Sequence, residues 1–155
     1  MDKAKWMQLF TGSEGDMYIE RFIQMVYSQW VRSGDLVIDG GSADGRHTRP
    51  LSELVGTQGI TLAVEPLYFI YKSRPWVKNY KSDNVIIEES ALSNFVGESH
   101  FNCIKDSPGY SGLKRGYWSA GETVEDITVR VITLDELIKK HALKVTAHRV
   151  WTIFS

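Results

Sequence analysis

The chain has 155 residues, 43% of them hydrophobic and 24% charged, and its 18 Lys and Arg against 19 Asp and Glu leave a net charge of −1. That length suits one domain with its own core, and so small a charge supplies no field to gather nucleic acid or anionic lipid. The single cysteine, Cys103, excludes an intrachain disulfide and fits a reducing compartment.

No run of about 18 apolar residues is present to span a bilayer. The opening "MDKAKWMQLF" has too short an apolar run for a secretory h-region, so the cytoplasm is the expected location. His47, His100, His141 and His148 show no metal-type spacing among themselves or with Cys103, and no metal is expected.

Residues 1–16 read as an N-terminal segment that precedes the first core helix and ends in the loop "TGSEGD". From Met17 onward, Ile19, Phe22, Ile23, Val26 and Trp30 recur at helical spacing and predict an amphipathic helix with that stripe on the core. Gly34 suits its end. "LVID" (36–39) is a short, wholly apolar strand ending in an acid, as expected of a central parallel strand buried on both faces. Gly40, Gly41 and Gly45 turn the chain, and a helix is expected from about Arg46 to Val55.

"ITLAVEP" (60–66) is a second strand ending in an acid, followed by a helix that Pro75 stops. "NVIIEESALS" (84–93) is a third strand running into a turn. This alternation predicts a right-handed parallel α/β sheet. Thereafter "GESHFNCI" (97–104) and "EDITVRVIT" (125–133) alternate like the two strands of an antiparallel hairpin with a long loop. "TLDE" (133–136) is a capping box opening a helix to about His141.

Ligands of open α/β sheets bind outside the carboxyl ends of the strands. Asp39, Glu65 and the Glu89–Ser90 turn all fall there, and Gly40, Gly41 and Gly45 let a ligand approach bare backbone. The dinucleotide fingerprint fails because Ser42 stands where its second glycine belongs. A nicotinamide-dependent oxidoreductase is therefore disfavoured. The phosphate loop fails because Arg46 and His47 replace its Lys and hydroxyl residue.

An acid directly before the glycines repels a pyrophosphate and favours a cationic ligand. S-adenosyl-L-methionine has an ammonium, a sulfonium and no phosphate. On this reading Asp39 lies near the methionyl end, Glu65 accepts hydrogen bonds from the ribose hydroxyls, and Ser90 and Ala91 line the adenine. The expected cofactor-binding set is Asp39, Gly40, Gly41, Ser42, Gly45, Glu65, Ser90 and Ala91.

Other readings stand beside these. Glu65 also suits a helix-capping surface acid, and Ser90 a plain turn residue. Tyr110, Tyr117 and Trp118 suit a substrate platform or, more ordinarily, loop packing. His47 is a minor candidate for a general base. Lys72, Arg74, Lys78 and Lys81 form a basic stretch that reads as solvated surface.

In order and spacing, "SGDLVIDGGSADGRHT", "AVEP", "SALS", "SGL" and "VITLDEL" resemble the motifs of the FkbM-type methyltransferases, a branch of the class I S-adenosylmethionine-dependent enzymes. The resemblance covers roughly residues 15–140. It implies a Rossmann-like α/β sheet with helices on both faces plus an antiparallel hairpin insertion. It also implies methyl transfer to a hydroxyl on a sugar, lipid or natural product.

In that family the helix after "TLDEL" leads to another core strand with an Asp-Val-Glu-Gly-like end and further elements. Here "KVTAHRVWTIFS" follows, in which "RVWTIF" suits only the start of such a strand. The expectation is therefore one partial methyltransferase domain over 1–155, incomplete at its C-terminus and with its activity left open, with "LVID" left as an uncovered edge. Such an edge promotes self-association, and an alternative use is a non-catalytic interaction module built on it.

Overall fold

The computed structural model describes residues 13–74, 77–78, 82–114, 122–142 and 149–154. In chain order these form α1 (Ser13–Ser28), β1 (Leu36–Gly40), α2 (Thr48–Val55), β2 (Ile60–Val64), α3 (Tyr68–Tyr71), β3 (Val85–Glu88), β4 (Ala91–Leu92), β5 (Gly97–Ile104), β6 (Val124–Ile132), α4 (Leu134–Ala142) and β7 (Val150–Phe154). Pro75, Lys81, Tyr117 and Trp118 lie outside the described residues.

Two sheets result. The first is parallel throughout, with strand order β3-β2-β1-β7. The chain steps outward from β1 through β2 to β3 and returns to the other side of β1 as β7. That reversal places a topological switch point at the carboxyl end of β1, where open α/β sheets take their ligands. The second sheet has the order β4-β6-β5, with β5 and β6 antiparallel as the alternating sequences predict.

Side chains of β1 alternate between the faces of the first sheet, as the pleat requires. Leu36 and Ile38 pack with Leu62, Val64, Ile132 and Leu137, the last from α4. Val37 packs with Tyr27 and Val31 beyond and on α1, and with Leu51 and Val55 of α2. Helices thus cover both faces. The Thr133 hydroxyl accepts from the Glu136 N–H at 3.2 Å and caps α4.

Three expectations need correcting. First, β1 is not an edge. All five of its residues pair with β7, from Leu36 opposite Val150 to Gly40 opposite Phe154. Asp35, fully buried before β1, fastens the new strand: the Trp151 indole N–H donates to its Oδ2 at 3.0 Å, and Arg149 Nε to its Oδ1 at 3.4 Å. Among the described residues the outer edges of this sheet belong to β3 and β7.

Second, α1 begins at Ser13 and turns a different stripe inward. Ile23 and Tyr27 join the core, whereas Phe22, Val26 and Trp30 are 59%, 42% and 58% exposed. The helix carries apolar residues around most of its circumference, so spacing alone does not select the face. Third, the expected third strand is two: β3 stays in the parallel sheet, and after Glu89–Ser90 the chain crosses to the second sheet as β4, parallel to β6.

Candidate functional site

The chain between β1 and α2 is drawn tightly over the end of β2. The Gly41 and Ser42 N–H groups both donate to the Val64 carbonyl, at 2.9 and 3.1 Å. Gly41 and Gly45 sit at φ 83° and 84°, the left-handed region where only glycine is free of Cβ strain. Ala43 is also left-handed, at φ 43°, and a non-glycine residue holds that conformation where its surroundings enforce it.

Glu65 supplies the enforcement. Its Oε2 accepts from the Ala43 N–H at 2.9 Å and its Oε1 from the Leu67 N–H at 2.7 Å. The side chain is buried, and burial pushes its pKa up, opposed by the Leu67 and Ala43 hydrogen bonds and reinforced by the Asp39 charge. A carboxylate has about four lone-pair positions, so two backbone donors leave it acceptor capacity for a ligand.

Glu65, Gly40, Gly41, Ser90 and Ala91 share a cavity of about 270 Å³ at the carboxyl ends of β1 and β2. Leu67 and Tyr71 wall one side, and Phe101, Ser111 and Leu113 of the hairpin region the other. Five of the eight expected residues are therefore together. Ser90 lines this cavity, and its hydroxyl oxygen is buried with no hydrogen-bond partner among the described residues. A buried polar group of that kind calls for a partner.

The other three are placed differently. Ser42 and Gly45 line a separate apolar cavity of about 360 Å³ on the other side of the loop, with Thr48, Ala63 and Ile87. Asp39 lines neither cavity. It is fully buried and accepts from the Thr48 hydroxyl at 2.5 Å. Its side chain lies with Val37 on the sheet face covered by α1 and α2, under the glycine loop. Its charge still reaches both Glu65 and Tyr27.

A second cleft of about 570 Å³ adjoins the first and shares Gly41, Ala43 and Tyr71 with it. His47 lines it, 2% exposed, with Nε2 hydrogen-bonded to Glu20 and Nδ1 3.4 Å from the Tyr27 hydroxyl. Both ring nitrogens are engaged within the protein, so His47 is not placed as a free base. Arg74 is exposed, as expected, and lies at this cleft 5.0 Å from the Tyr71 ring centroid and 3.7 Å from Asp44.

Sequence reasoning missed Thr48, Glu20 and Glu88. Glu88, buried at the end of β3, accepts from Lys140 Nζ at 2.7 Å and lies 3.3 Å from His141 Nε2. The signal for Glu88 was present, since it is a third acid closing a parallel strand.

No protein-family model matches the chain, and a comparison with curated proteins finds no match. Solved structures similar to part of it include two methyltransferases. A SAM dependent methyltransferase from Aquifex aeolicus is 22% identical, with a TM-score of 0.39 and coverage of 58% of this chain and 47% of that one. A SAM-dependent O-methyltransferase from Thermotoga maritima is 16% identical, with a TM-score of 0.37 and coverage of 74% of this chain and 65% of that one. The chain thus matches about half to two thirds of the length of these proteins.

Proposed function

We propose that the chain binds S-adenosyl-L-methionine in the cavity at the end of β1 and β2, as the cofactor part of a methyltransferase domain. The observation that carries this reading is the Glu65 carboxylate. It closes the strand beside the glycine loop at a switch point, already held by two backbone donors and still able to accept from a vicinal diol.

The residues present suit the group. Gly40 and Gly41 offer bare backbone at one wall. Ser90 and Ala91 line the wall assigned to the adenine side. The loop lacks the Lys and hydroxyl residues that a polyphosphate needs, and Glu65 and the buried Asp39 oppose an anionic ligand.

The cofactor would supply an electrophilic methyl group on a sulfonium. The chain's part is to hold and orient: Glu65 grips the ribose, the turn at Ser90–Ala91 contacts the base, and Asp39 with Thr48 keeps the loop in register from beneath. Positioning of this kind supplies much of the rate in an in-line displacement.

The assignment to the FkbM-type branch, and to a hydroxyl acceptor on a sugar, lipid or natural product, rests on the order of the sequence motifs. A thermal-shift comparison tests the ligand class. S-adenosylhomocysteine is expected to raise the melting temperature and NADH to leave it unchanged. The reverse result would contradict the reading.

A further inference from the structure

We infer that the cleft beside the cofactor cavity is a subsite for a neutral, polyhydroxylated ligand of monosaccharide size, and that the Glu20 carboxylate, held by His47, accepts the hydrogen bond of one of its hydroxyls. This rests on the methyl-transfer reading above and narrows its acceptor.

Position comes first. The cleft shares Gly41, Ala43 and Tyr71 with the cavity assigned to the cofactor, so the two ligands would lie side by side across one loop. Its volume of about 570 Å³ falls within the range of about 300–1,000 Å³ usual for small-molecule sites.

The lining then selects the chemistry. Three carboxylates, Glu20, Asp44 and Asp106, and two guanidiniums, Arg46 and Arg74, line the cleft. Both guanidiniums already face acids, at 3.6 Å from Glu20 and 3.7 Å from Asp44, and Arg74 also lies over Tyr71. A phosphorylated or carboxylated ligand would meet more negative than positive charge. An acyl chain would have to bury these charged groups, at high cost. Hydroxyls that both donate and accept suit interspersed acceptors and donors. At the rim Tyr110 is 71% exposed, an aromatic face for the apolar side of a sugar ring.

Glu20 is distinguished by its support. Burial, then the charges of Asp39 and Glu20, holds the Tyr27 hydroxyl protonated well above its ordinary range. The Tyr27 hydroxyl lies 3.4 Å from His47 Nδ1, and the opposite ring nitrogen, Nε2, is hydrogen-bonded to Glu20. A buried tyrosine and imidazole thus fix one oxygen of a carboxylate that is itself at the cleft. His47 is a positioning residue.

The test titrates methyl α-D-glucopyranoside into the full chain, with and without S-adenosylhomocysteine, and follows backbone and imidazole chemical shifts. Saturable shifts at Glu20, His47 and Tyr110 are expected. Glu20→Gln should weaken glycoside affinity about tenfold and leave S-adenosylhomocysteine affinity unchanged, which also shows that the variant folds. Tyr110→Ala, at the exposed rim, should weaken it about threefold, and His100→Ala, on the hairpin, should have no effect.

Absence of saturable shifts in the wild type overturns the inference. So does equal affinity in Glu20→Gln and the wild type, or binding of glucose 1-phosphate in preference to the glycoside. Loss of S-adenosylhomocysteine binding with glycoside binding intact overturns the cofactor reading and leaves the subsite standing.

Discussion

Glu65 and Ala43 are joined by a hydrogen bond of 2.9 Å between a carboxylate at the end of β2 and a backbone N–H in the loop after β1. The bond ties the second acid of the parallel sheet to the left-handed residue of the glycine loop. It makes the loop's conformation and the ligand-gripping group one unit.

The pH dependence of ligand binding follows from that burial. Glu65 titrates above the ordinary glutamate range, chiefly because burial disfavours its charge. A diol donates to the carboxylate and not to a neutral acid's proton. S-adenosylhomocysteine affinity should therefore fall as pH drops through this raised pKa, earlier than an ordinary glutamate would produce. Stability runs the other way: the folded state holds this proton more tightly than the unfolded chain. The contribution of Glu65 to stability thus declines as pH rises from the unfolded value through the folded one, then levels. Calorimetry over a pH series, with Glu65→Gln showing a flatter profile, checks both signs.

Thr48→Val should keep the shape of α2 and remove the donor to Asp39. That leaves a buried carboxylate short of one partner, at a cost of about 1–3 kcal/mol. Because Asp39 lies under the glycine loop, weaker S-adenosylhomocysteine binding should accompany the loss. Urea denaturation and a ligand titration on the same variant measure the two effects.

Glu88 provides the opposite pH signature. Burial pushes its pKa up, but the hydrogen bonds and charges of Lys140 and His141 prevail and lower it. Stability from this group is present above the unfolded carboxylate value and lost as pH falls through the lowered folded value. Glu88→Gln should be less stable than the wild type near neutral pH by about 1–3 kcal/mol, with the gap closing under acid. Chemical denaturation at two pH values reads the difference.

Trp151→Phe should loosen β7. It keeps a smaller aromatic ring and deletes the indole N–H that reaches the fully buried Asp35, at about 1–3 kcal/mol for the lost hydrogen bond. Hydrogen exchange should accelerate at the β1–β7 ladder before it does between β1 and β2.

How much of this was legible follows from what each signal encodes. "LVID" and "ITLAV" read as buried parallel strands because their runs are continuously apolar, and the hairpin read from strict alternation. Glu65, Gly40, Gly41, Ser90 and Ala91 met as expected because the carboxyl end of each strand is fixed once the sheet is parallel. The inward placement of Asp39 was not read, although the pleat pairs it with Val37 on the face covered by α1 and α2. The partner that explains it, Thr48, lies nine residues on in another element. The stripe on α1 was misjudged because spacing describes a face without saying which neighbour it meets. β7 was read only as the start of a strand because its anchor, Asp35, lies more than a hundred residues away.

The measurement that bears most directly on the central claim is calorimetric titration of S-adenosylhomocysteine into the wild type and Glu65→Gln. Saturable one-site binding to the wild type, weakened about tenfold or more in the variant, is the expected result. No binding to the wild type, or equal affinity in both proteins, would contradict the account.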